Sequence, residues 1–145
     1  MKSGLKSLAH LGKELNMKSK VAKTKAGSFP KFPLHKLLKA KPKKRWQVLC
    51  GDRNHWRIGF YCPAESKSSD VKKLEKHTCV ELFMLISGSQ TLILDDGKGE
   101  YLLKLKLNEP VMVKGWHCGF SPKGPHTGVS LVVERDEFDT IYRNR

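Results

Sequence analysis

The sequence predicts an all-β barrel or two-sheet sandwich preceded by a basic, largely irregular extension. Three observations predict it. From Trp46 onward, short segments of alternating apolar and polar residues recur, separated by Gly/Asp/Asn turns. No helical periodicity of useful length follows residue 46. The charge is also divided along the chain. The 145 residues carry a formal net charge of +14. Residues 1–45 hold 14 basic residues and one acid, Glu14, whereas 46–145 hold 14 basic and 13 acidic residues. The excess charge therefore belongs to the first third, which disfavours a uniformly basic nucleic-acid-binding domain.

The division suggests a basic flexible tail over 1–45 and one β domain over 46–145. Leu5, Leu8, Leu11 and Leu15 are spaced for one short amphipathic helix, weakened by Gly4 and Gly12. Beyond Met17 the tail is Lys-rich and broken by Pro30, Pro33 and Pro42, too polar to offset its ordering entropy. Its charge suits contact with a polyanion; organelle targeting is the alternative, although Lys in place of Arg suits it less. No apolar run approaches a membrane span, and no apolar segment follows the N-terminal basic residues as in a signal peptide. A cytoplasmic protein is expected. Cys50, Cys62, Cys79 and Cys118 are scattered without a C-x-x-C pair, so free thiols, mostly buried, are expected.

The elements follow in order. Trp46–Cys50 reads as a strand, and Gly51-Asp52-Arg53-Asn54 as a turn. His55–Cys62 alternates, with Trp56, Ile58 and Phe60 on one face and Arg57 and Tyr61 on the other. Pro63–Lys73 is a polar loop. Leu74–Ile86 reads as one long strand, ended by Ser87-Gly88-Ser89. Gln90–Leu94 and Tyr101–Leu107 flank the hairpin turn Asp95-Asp96-Gly97-Lys98-Gly99. Val111–Val113 and Trp116–Phe120 surround a Lys114-Gly115 turn. Val129–Glu134 and Phe138–Arg143 complete nine strands, which suits a barrel or sandwich.

The chemistry concentrates in Glu75-Lys76-His77-Thr78-Cys79-Val80-Glu81. On a continuous strand Glu75, His77, Cys79 and Glu81 share one face. Gly115-Trp116-His117 supplies a second His after a turn. Imidazole and carboxylate together suit Fe, Mn, Ni, Cu or Zn, and a barrel interior can bring His77, Glu81 and His117 together. Cys79 reads as core. Arg57 and Tyr61 are candidates for an anionic substrate group, and Trp116 for a substrate platform. His126 reads as a solvated loop residue. His10 and His35 have no visible role.

These residues resemble the motifs of the cupins. The first cupin motif sets a His-x-His pair shortly before a Glu, followed by six residues and a Gly. His77 takes the second His position, Glu81 the Glu and Gly88 the Gly, while Glu75 stands at the first His and Ser69 at the upstream Gly. The second motif, Pro-x-Gly-x-x-His, is represented by Gly115 and His117 with one residue fewer between them and no Pro. The resemblance covers roughly residues 46–140. It implies a double-stranded β-helix barrel holding one divalent transition metal on His77, Glu81 and His117, with Glu75 as a further ligand. It also implies a homodimer. The expected function is binding or conversion of a small polar molecule by isomerisation, epimerisation or dioxygenation, with Glu75 or Glu81 moving the proton. Two alternatives stand beside it. Leu94-Asp95-Asp96-Gly97-Lys98, Trp116 and Phe120-Ser121 are similar to the metal-free dTDP-sugar ketoisomerases. The other is a non-catalytic ligand-binding cupin with a polyanion-binding tail.

Overall fold

The computed structural model describes residues 22–23, 37–41 and 43–145. The Leu5–Leu15 periodicity, His10, His35 and all three tail prolines lie outside the described residues. The strands are β1 (Ala22–Lys23), β2 (Trp46–Asp52), β3 (Trp56–Tyr61), β4 (Lys73–His77), β5 (Glu81–Ser87), β6 (Thr91–Asp95), β7 (Glu100–Lys104), β8 (Pro110–Val113), β9 (Trp116–Phe120), β10 (Val129–Arg135) and β11 (Asp139–Asn144). One 3-10 turn, Ser68–Asp70, precedes β4. No helix among the described residues is long and apolar enough to cross a membrane.

The strands form two antiparallel sheets, in the orders β1-β11-β4-β9-β6-β7 and β2-β3-β10-β5-β8. The long strand expected over Leu74–Ile86 is two strands. Thr78–Val80 turns a corner between them, and β4 and β5 belong to different sheets. This carries the chain from one wall of the barrel to the other. The basic segment also touches the barrel: Ala22 and Lys23 pair with Thr140 and Asp139 of β11. Lys41 N–H donates to the Gln47 side chain at 2.9 Å, and Ala40 packs over Leu49, Phe60 and Cys62.

Alternation decides what faces inward. Phe83 and Leu85 of β5, Leu92 and Leu94 of β6, Val132 of β10 and Tyr61 of β3 form the interior core with Leu105 and Val113. Burying each large apolar side chain is worth about 1.5–3 kcal/mol. Val71, Leu74, Ile93, Cys118 and Phe120 form a second cluster. The β6–β7 hairpin closes as expected, with Asp95 Oδ1 accepting the Gly97 N–H at 2.8 Å. Gly88 ends β5 at φ +75°, and a Cβ there would lie 1.8 Å from the Thr127 carbonyl oxygen, so only glycine fits. All four cysteines are free, and three are buried.

Candidate metal centre

Strand register builds the site as two facing rows. Across the five-stranded sheet, Arg57 pairs with Glu134, and the Val133–Leu82 pairing sets Glu134 beside Glu81. Across the six-stranded sheet, His117 stands between Leu94 and Glu75, and Glu75 pairs with Tyr142. His77 lies opposite Thr140. The rows close on each other inside the barrel. His117 Nε2 is 2.9 Å from Glu81 Oε2, and His77 Nε2 is 3.6 Å from Glu81 Oε1. The two imidazole centroids are 5.2 Å apart. Donor atoms of Glu75, His77 and His117 lie within 4.8 Å of one another, as do those of His77, Glu81 and Glu134.

The ring orientations are fixed from behind. His117 Nδ1–H donates to the Gly115 carbonyl at 3.1 Å. A carbonyl only accepts, so the neutral ring presents a lone pair at Nε2. Gly115 adopts φ +114°, and this turn delivers the carbonyl. His77 Nδ1 is engaged by Thr140 Oγ1 at 2.8 Å, again leaving Nε2 toward the shared space. His117 Nε2 is buried and faces Glu81 Oε2 at 2.9 Å. Two inward imidazole nitrogens gathered with carboxylate oxygens fit a divalent transition metal.

Without a dication, the electrostatics hold a proton in this row. Burial disfavours the charged form of His117, but Glu81 and Glu75 outweigh it and raise its pKa to about 9. Burial lowers His77 to about 4, only partly opposed by Glu81. Burial likewise pushes the Glu75 carboxyl upward, with His117 pulling the other way. Glu134 is pushed by burial to about 7, against the pull of Arg57 and with the push of Glu81. Two carboxylates side by side in a buried row are a poor anionic pair, and a dication would relieve them.

A cavity of about 590 Å³ opens onto these groups. Arg57 and Tyr61, selected in the sequence, line it. Arg57 is not free, since its Nε–H donates to Glu134 Oε1 at 2.6 Å. Trp116 does not line the cavity, and the expectation of a substrate platform is corrected. Its neighbour His117 points inward, so alternation turns Trp116 outward, where the Arg143 guanidinium lies 5.0 Å from its ring centroid. Cys79 is buried in the β4–β5 corner. His126 is not simply solvated: its Nδ1–H donates to the Cys62 carbonyl at 2.8 Å.

Sequence reading missed Glu134, Thr140, Tyr142, Phe138 and Arg45, all of which line the cavity. Glu134 had a signal. It shares the inward face of β10 with Ser130 and Val132, where an acid is out of place unless partnered. Arg45 had none, because it reads as the last charge of the basic tail.

No family model matches the sequence, and no curated protein is similar to it. Solved structures are similar in fold. A cupin 2 domain-containing protein from Halorhodospira halophila gives a TM-score of 0.52 at 16% identity, over 86% of this chain and 80% of that one. Fe(II) HppE in complex with substrate gives 0.51 at 12% identity, over 68% and 57%. Another structure of Fe(II) HppE gives 0.50 at 12% identity, over 62% and 48%. This chain thus spans about half the length of the HppE chains it matches. The fold is the cupin double-stranded β-helix, as the motif resemblance implied.

Proposed function

We propose that this cupin barrel binds one divalent transition metal through His77, His117 and Glu81, with Glu75 as an additional carboxylate ligand, and acts on a small polar molecule in the cavity. The observation that carries the reading is the pair of imidazoles with Nδ1 occupied and Nε2 turned inward toward the Glu81 carboxylate. Two imidazoles with carboxylates suit non-haem Fe(II) or the similar Mn(II). The fold neighbour HppE is described in its Fe(II) form, which makes iron the first metal to test.

A bound dication would supply Lewis-acid polarisation of a substrate oxygen or a site for O₂. The chain's own residues do the rest. Phe83 and Phe138 line the cavity beside the imidazoles and exclude water. Glu75, pushed upward by burial, is placed to hold or take a proton at its carboxylate. Arg57 holds Glu134, and through it the Glu81 row, in position. Isomerisation, epimerisation and dioxygenation all fit these roles.

Elemental analysis of protein purified without a metal-binding tag tests the proposal, and close to one transition metal per chain is expected. A second reading is favoured by the 2.9 Å separation of His117 and Glu81: a metal-free cavity in which the two form an ion pair. Metal-free protein that cannot be loaded with Fe(II), Mn(II), Co(II) or Zn(II) would establish that reading instead. Two further roles accompany the proposal. The Lys-rich segment 1–45 contacts polyanions, and the barrel forms a homodimer through its edge strands, where Leu102 and Met112 are exposed.

A further inference from the structure

We propose that the metal site's substrate is a small anion and that Arg45 is the residue that recognises its charged end. This inference rests on the metal-site reading above and names the substrate class for that cavity. Arg45 belongs by sequence to the basic tail, yet its side chain turns into the cavity wall. Its backbone carbonyl accepts the Cys62 N–H at 2.7 Å, which fixes the chain at the start of β2. The guanidinium then bridges three groups. Nη2 donates to the Tyr61 hydroxyl and to Cys118 Sγ, both at 3.1 Å, and Nη1 donates to Glu65. The guanidinium carbon also lies 5.4 Å from the Tyr61 ring centroid.

This arrangement is that of a held but unspent cation. A guanidinium carries five N–H donors. Nε–H and one Nη1–H have no partner among the described residues. The side chain is 38% exposed, so a ligand in the cavity can reach it. The same cavity is lined by Arg45 and by Glu75, His77 and Glu81. The other cavity arginine, Arg57, is only 8% exposed and its Nε–H is held by Glu134, so Arg45 is the more accessible of the two. Lys72 and Lys73 line the same mouth and add positive charge. A ligand held between the metal and Arg45 is therefore small, with an oxygen for the metal at one end and a carboxylate or phosphate at the other.

Glu65 makes the inference testable in both directions, because it is the acid that competes with a bound anion for Arg45. The experiment titrates 2-hydroxypropanoate, 2-hydroxyethyl phosphate and neutral propane-1,2-diol into the full-length protein, metal-free and Co(II)-loaded, by calorimetry. One or both anions should bind at least about tenfold more tightly than the diol, the gain expected from a charge-assisted contact. Which anion binds separates carboxylate from phosphate recognition. Arg45→Gln should lose that preference with Co(II) content unchanged, Arg45→Lys should keep part of it, and Glu65→Gln should strengthen anion binding. A merely structural Arg45–Glu65 pair would not give tighter binding on loss of Glu65. Equal binding of anions and diol, or wild-type anion affinity in Arg45→Gln, overturns the proposal. Failure to load Co(II) overturns the metal reading separately, since the metal-free titrations still report on Arg45.

Discussion

His77 and Glu81 are four residues apart, and their side chains meet at 3.6 Å from strands in different sheets. On one continuous strand, the same spacing would set them in line along one wall, two strand repeats apart. The corner at Thr78–Val80 instead folds the two positions toward a common point and toward His117.

That convergence predicts shared loss of metal. His77→Ala and His117→Ala should each lower metal content by tenfold or more on dialysis against a weak chelator. The far-ultraviolet circular dichroism of both should stay that of the wild type, because neither ring belongs to the apolar interior cluster. Glu75→Gln should weaken metal retention less than either His change. Full metal occupancy in both His variants would exclude the site.

Metal affinity should depend on pH with a definite sign. The chelated protein holds a proton on His117 up to about pH 9, because Glu81 and Glu75 outweigh burial. A metal must displace that proton, so affinity should rise by about tenfold per pH unit from pH 7 to 9 and then level off. In the same chelated protein, His117 contributes stability that is full below its unfolded value near 6.5 and is lost as pH rises through 9. His77 has the opposite sign: its lowered value makes stability fall as pH drops from about 6.5 toward 4. Urea melts of chelated protein across this range should show a maximum near neutral pH.

The Arg57–Glu134 pair is buried, and removing one partner strands the other. Glu134→Ala should destabilise the protein by about 3–5 kcal/mol. The double change Arg57→Met, Glu134→Leu should recover much of that stability while weakening metal retention, since the Glu81 row loses its neighbour. A stability loss equal to the sum of the single changes would show that the pair is not coupled.

Gly88→Ala should be costly although the residue touches no ligand. Its φ of +75° disfavours any Cβ, and the Thr127 carbonyl fills the space a Cβ would need. A loss above about 1 kcal/mol in a chemical melt is expected, with metal stoichiometry unchanged in the folded fraction. A wild-type melt would mean that the β5 exit and the Thr127 loop are not in close contact.

The strand pattern and the donor residues were legible from local features. Period-two alternation marked β3 and β7, and turn residues marked their ends. His77, Glu81, His117 and Glu75 were readable as a donor set because they combine metal-binding side chains with strand spacing. The split of Leu74–Ile86 was not readable, because a chain crossing between sheets keeps the apolar alternation on both sides of the corner. Nor could the opening pattern show that Arg57 would be spent on Glu134.

The sequence by itself determined an all-β chain, a charge division near residue 45 and the kind of donors the barrel encloses, since each depends on residue type and near-neighbour spacing. The tertiary structure decided which of these groups meet. Arg57 and Glu134 are 77 residues apart, and Arg45 reaches Cys118 across 73. Such pairings follow from strand order and register, which are set by the joint burial of the interior core rather than by local propensity. For that reason a tail arginine became a cavity residue, and Trp116, beside a metal-ligand candidate, turned away from it.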